Sequence, residues 1–105
     1  MPKPHKTPLP TLGEIRQTLR DQLPALREEY KVKSLGVFGS YVRGENKPSS
    51  DLDLLVEFER APTLFGFVRL ERHLTETVGI KVDLVMKSVL KSEIGKHILA
   101  EVLPV

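Results

Sequence analysis

Leu35-Gly36-Val37-Phe38-Gly39-Ser40-Tyr41-Val42-Arg43-Gly44, then after a short polar loop Ser50-Asp51-Leu52-Asp53-Leu54-Leu55-Val56-Glu57-Phe58, is the stretch that decides the fold. An apolar run ends in Gly39-Ser40, and a second apolar run carries two carboxylates one residue apart. In a strand, residues two apart point to the same face, so Asp51 and Asp53 are expected on one side of a sheet. Two like charges held that close are unfavourable unless something positive sits between them. A divalent cation such as Mg²⁺ suits an all-oxygen site and commonly bridges to substrate phosphates. Glycine at a strand-to-helix turn lets backbone approach a ligand, and the amides opening a helix favour an anion. Carboxylates for a metal beside amides for phosphate make a nucleotide-triphosphate site.

Outward from this stretch, the remaining elements follow from periodicity. Thr11 and Glu14 have capping-box spacing, and Leu12, Ile15, Leu19 and Leu23 recur at helical spacing. Pro24 removes a backbone donor, which predicts a kink or a restart, with Leu26 and Tyr30 continuing the buried face. Val32 to Phe38 reads as the first strand, Ser40 to Arg43 as one helical turn stopped by Gly44, and Leu52 to Phe58 as the second strand. Glu45 to Ser50, with Pro48, is a polar loop expected to be mobile. A helix is expected from Ala61-Pro62 to Gly79, with Leu64, Phe67, Val68, Leu70, Leu74 and Val78 as its apolar stripe. Ile80 to Met86 is the third strand. Ser88 to Leu103 reads as a last helix with Ser88 as N-cap. The simplest arrangement burying these faces is an α+β domain, a three-stranded sheet flanked by helices.

The 105 residues suit one domain, expected over residues 11–105 after a disordered, Pro-rich tail at 1–10. Cysteine is absent, which excludes disulfides and thiolate metal sites and agrees with a cytoplasmic protein. No apolar stretch approaches the ~20 residues a membrane helix needs, so no membrane partner is expected. The net charge of +2 is small, and part of it comes from Lys3 and Lys6 in the tail, so it does not argue for direct nucleic-acid binding.

Asp83 falls inside the apolar strand Val82-Asp83-Leu84-Val85. A buried carboxylate must be paired, protonated or bound to a cation. A salt bridge to Lys81 on the same face is the structural explanation; beside Asp51 and Asp53, a metal site is the other. Three acids on adjacent strands near a phosphate-binding turn form a two-metal phosphoryl-transfer arrangement. Arg43 can contact phosphate, or pair with Glu45 or an aspartate of the site, and the structural role is the more common for such a residue. Tyr41 reads as packing. Lys47, the separate His5, His73 and His97, and the charges Arg69, Arg72 and Lys81 read as solvated surface.

The runs Gly39-Ser40-Tyr41-Val42-Arg43-Gly44-Glu45, Ser50-Asp51-Leu52-Asp53-Leu54-Leu55-Val56 and Val82-Asp83-Leu84-Val85 together resemble the minimal nucleotidyltransferases (MNT domains) of the DNA polymerase beta-like superfamily. Val42 departs from the family, which usually carries a smaller residue there. The resemblance covers roughly residues 11 to 103. It implies a mixed sheet and Mg²⁺-dependent transfer of a nucleotide from a nucleoside triphosphate to a hydroxyl. Carried over by position, Gly39 and Ser40 bind the triphosphate and Arg43 stands beside them. Asp51 and Asp53 hold two metal ions, and Asp83 completes one metal site and helps deprotonate the acceptor. Stand-alone members of this size resemble antitoxins that adenylylate a tyrosine of a HEPN-domain toxin, a ribonuclease, and form a hetero-oligomer with it. Two rival readings remain: an antitoxin that neutralises its toxin by binding alone, and a nucleotidyltransferase for a small molecule or an RNA end.

Overall fold

Thr11 begins the first helix as the spacing predicts. Its side chain accepts the Glu14 N–H (3.1 Å) and the Glu14 carboxylate accepts the Thr11 N–H (2.8 Å), so two otherwise orphaned amides are satisfied reciprocally. The computed structural model describes residues 9–90 and 93–105, without the side chain of Ile94. The tail expected over residues 1–10 therefore lies outside the described residues apart from Leu9 and Pro10. Helix α1, Leu12–Tyr30, buries Ile15, Leu19 and Leu26. It runs through Pro24 without the expected restart. Pro24 lies on the exposed side, where water can serve the carbonyl that loses its amide partner.

Strand β1, Val32–Phe38, leads directly into the four-residue helix α2, Ser40–Arg43, and the polar loop returns the chain as β2, Leu52–Phe58. Helix α3, Leu64–Val78, then crosses to β3, Val82–Met86. α3 starts two residues later than Pro62 suggests, because the Thr63 side chain caps it by accepting the Gly66 N–H. A 3-10 turn at Lys87–Val89 precedes helix α4, Glu93–Glu101, and a short strand β4, Leu103–Pro104.

The sheet has four strands in the order β3-β2-β1-β4, one more than the periodicity predicts. β2 pairs antiparallel with β1 and parallel with β3, and β4 pairs antiparallel with β1. The sheet is thus mixed, as the resemblance implies. The helix expected over Ser88–Leu103 resolves into three elements: Ser88 sits in the 3-10 turn rather than capping a helix, and the chain leaves α4 after Glu101 to join the sheet. Two residues are too few to show a strand period, and Pro104 in an edge strand needs no ladder donor. The strand is held from outside itself: the Arg16 guanidinium donates to the Pro104 carbonyl (2.7 and 3.0 Å) and Arg20 Nε to the Val105 carbonyl (2.8 Å). The other sheet edge is also covered. The outward amides of β3 donate to α3, Val82 N to Thr75 Oγ1 and Leu84 N to Glu71 Oε2, both at 3.0 Å, which closes an edge that would otherwise invite another chain.

The core lies between the sheet and the helices α1 and α3. Leu52, Leu54 and Val56 of β2 are fully buried with Val37, Leu70 and Leu74. The apolar stripe of α3 is only partly used, since its Leu64 and Val68 face solvent, as does Phe65 outside the stripe. His73, expected at the surface, is half-buried and stacks on Tyr30 with ring centroids 5.9 Å apart.

Candidate active site

The site forms where β1 ends. Gly39 has φ +80°, a conformation that L side chains avoid, and a Cβ built there would collide with the Asp53 carboxylate. Only glycine combines that turn with so close an approach of backbone to carboxylate. Ser40 to Arg43 then make one helical turn, with the Val42 and Arg43 amides on the Gly39 carbonyl.

The register of the sheet sets the acids. Asp53 is the partner of Phe38 on β1 and of Asp83 on β3. Directly paired residues on neighbouring strands share a face, so Asp53 and Asp83 stand side by side in front of Gly39. Asp51 lies two residues before Asp53, just ahead of the strand, where the Leu52 N–H on the Lys81 carbonyl (2.8 Å) fixes the chain. Asp53 is half-buried, and Asp51 and Asp83 are exposed. The expectation that Asp83 is buried is therefore wrong. β3 is an edge strand whose outer face is open at this end, so the carboxylate reaches water and no Lys81 salt bridge forms among the described residues.

Among the described residues, no hydrogen bond or ion pair engages the carboxylates of Asp51, Asp53 or Asp83. Burial first, then the charges of Asp83 and Asp51, push the Asp53 carboxyl above its usual range, with Arg43 opposing. This is a negative site of oxygen donors, offset only in part by Arg43, the chemistry that a hard cation such as Mg²⁺ fits. Among the described residues no three acidic or histidine side chains yet converge tightly enough to grip one ion. An arriving ion would have to draw the carboxylates together.

Arg43 is engaged by two acids. Its Nε donates to Glu45 Oε1 and its Nη1 to Glu101 Oε1, each at 2.8 Å. The structural role weighed for this residue is thus present in part: Glu45 is a partner, but the second acid comes from α4. Glu101 also accepts the Gly39 N–H, at 2.8 Å through Oε2. The Arg43 guanidinium, then the Gly39 amide, hold the Glu101 carboxyl below its usual range. A cavity of about 580 Å³ lies between the two halves, lined by Gly39, Arg43 and Asp53 on one side and by His97, Ile98 and Glu101 on the other. This volume lies in the ordinary range for small-molecule sites. His97 and Glu101 are the residues that sequence reasoning missed. Both lie on a helix whose local pattern signals only packing, so their place depends on how α4 docks. Tyr41 packs as expected, 4% exposed.

Residues 19–103 match the nucleotidyltransferase domain family. The chain belongs to that family. Protein adenylyltransferase MntA of Thermococcus cleftensis is 53% identical over 92 residues, 88% of this chain and 93% of that one. A Methanocaldococcus jannaschii protein provisionally named a protein adenylyltransferase is 45% identical over 91 residues, 87% of this chain and 93% of its own. Among solved structures, one provisionally described as a minimal nucleotidyltransferase superposes with TM-score 0.71 at 35% identity, covering 85% of this chain and 91% of that one. A toxin–antitoxin structure with AMP-PNP superposes with TM-score 0.69 at 20% identity, over 85% of this chain and 70% of that one. At that identity the likeness shows the fold alone. The nucleotidyltransferase domain here is an enzyme fold with its acids, its glycine turn and its cavity on one end of the sheet.

Proposed function

We propose that this nucleotidyltransferase is an antitoxin that transfers AMP from ATP to a tyrosine hydroxyl of a HEPN-domain toxin, with Mg²⁺. The observation that carries the proposal is the pairing of Asp53 with Asp83 in front of the Gly39 turn. The 53% identity to a protein adenylyltransferase supports protein as the acceptor class. A neighbour of the same fold, a tri-AMPylated Shewanella oneidensis HEPN toxin in complex with an MNT antitoxin, supports the partner.

In the reaction, the acceptor oxygen bonds to the α-phosphorus of ATP, the bond from that phosphorus to its bridging oxygen breaks, and pyrophosphate leaves. Gly39 and Ser40 present backbone to the triphosphate, and Arg43 supplies a positive charge for its oxygens. Asp51, Asp53 and Asp83 would hold the metal, which neutralises phosphate charge when bound. Asp83, exposed on β3 as the register partner of Asp53, takes the acceptor proton. The partner supplies the hydroxyl, which approaches the acids through the open side of the cavity.

The test is labelling of the co-purified toxin by α-labelled ATP. Asp53→Asn should abolish labelling, a loss of at least about 100-fold, as expected for removing a charge that acts directly in the transition state. Undiminished labelling would remove the acids from the mechanism. Neutralisation by binding alone is the second reading, and the Glu101 carboxylate on the Gly39 amide favours it. Calorimetry with ATP and Mg²⁺ separates the two: no heat, with toxin inhibition retained, selects it.

A further inference from the structure

Both carboxylate oxygens of Glu101 are engaged by donors of the glycine turn. Oε2 takes the Gly39 N–H and Oε1 takes Arg43 Nη1, each at 2.8 Å. A buried backbone amide beside a guanidinium is what a phosphate oxygen seeks. A single N–H pointing at one anion cannot serve a second at full strength. We infer that Glu101 is a built-in stand-in for a phosphate group: the chain fills its own triphosphate seat, and nucleotide enters only by displacing this side chain. The inference rests on the nucleotidyl-transfer reading above.

Three further observations support it. Glu101 approaches from α4, the element that walls the cavity opposite Asp53, so its carboxylate reaches the turn across the space a substrate would fill. Its carboxylate lies in the same cavity lining as Asp53, so two acids face one space that a polyanion and its cation would share. The chain beyond it is anchored independently, by β4 on β1 and by Arg16 and Arg20. A rotation of the Glu101 side chain therefore vacates the seat without unseating the C-terminal strand.

An ordinary ion pair securing α4 predicts something different. Its removal would loosen the helix and leave nucleotide affinity unchanged or weaker. The measurement is calorimetric binding of a non-hydrolysable ATP analogue with Mg²⁺ to wild type, Glu101→Gln and Glu101→Ala, with each fold checked by circular dichroism. Both variants should bind about tenfold tighter than wild type, a gain of about 1.4 kcal/mol. In wild type, NMR should show the Glu101 side-chain carboxyl resonance shifting with the Gly39 amide as analogue is added. Equal or weaker binding by folded variants, while wild type binds, overturns the inference and leaves the nucleotidyl-transfer reading standing. A Glu101 carboxyl resonance unmoved at saturation overturns it in the same way, without relying on any variant. Absence of binding by all three proteins takes down both.

Discussion

At the scale of single residues, charge decides more than packing does. Asp53 sits against Gly39 with Asp83 beside it and Asp51 two residues away, and Arg43, itself held by Glu45 and Glu101, offsets them only in part. Its folded-state affinity for a proton exceeds the unfolded one, so its ionisation works against folding as pH rises from the unfolded value through the raised one. Glu101 has the opposite sign: its carboxyl is lowered, so the stability it contributes is present above the unfolded value and lost as pH falls through the folded one. Asp53→Asn should therefore stabilise the metal-free protein at neutral pH. Like charges directly opposite in a sheet cost on the order of 0.2–1 kcal/mol, which for a domain this size is a rise of roughly 1–6 °C in melting temperature. Thermal melts in EDTA check this. Added Mg²⁺ should narrow or reverse the difference, since only wild type gains from the ion. The aspartates were legible in sequence because period two and a single intervening residue fix their face. Their exposure was not, because it depends on where the sheet ends.

At the scale of elements, the sequence was clear where a pattern repeated and silent where a partner did the holding. The strands Val32–Phe38 and Leu52–Phe58 and the turn Ser40–Arg43 are all found with the bounds their patterns imply, and the first helix starts after its Thr11 cap as expected but continues through Pro24 to Tyr30. The fourth strand carries no local signal: it exists because Gly36 leaves room for it and two arginines of α1 bind the carbonyls of Pro104 and of Val105 just after it. A Cβ at Gly36 would meet Val102 Cγ2 at 2.5 Å and the Leu103 carbonyl oxygen at 3.2 Å. Gly36→Val should thus push β4 off β1 and cost about 1–3 kcal/mol, the usual range for forcing extra atoms into a filled space. Urea unfolding would show it as a lower midpoint with little change in slope. An unchanged midpoint would mean that β4 contributes nothing to the sheet. The same dependence explains why Glu101 escaped sequence reasoning: its approach to Gly39 follows from the docking of α4 and β4, which the sequence does not announce.

At the scale of the whole molecule, the binding groups belong to elements that form one cooperative core. β1 and β2 are the two central strands, and they carry Gly39 at one end of β1 and Asp53 near the start of β2. A ligand gripping both must stabilise the sheet itself rather than a peripheral loop. The acceptor is another matter, because among the described residues only α4 walls the cavity opposite Asp53. Nucleotide binding should then be a property of the isolated chain, while transfer needs the partner. At roughly a hundredfold excess over its dissociation constant, a ligand specific to the folded state contributes about 2.7 kcal/mol. For a domain of this length that is an upward shift on the order of 10 °C or more. A non-hydrolysable ATP analogue with Mg²⁺ should produce this shift in the isolated chain, in one transition whether followed by circular dichroism or by calorimetry. Asp53→Asn should show little of it. A shift that appears only when the toxin is added would move the nucleotide site from this chain to the interface between the two.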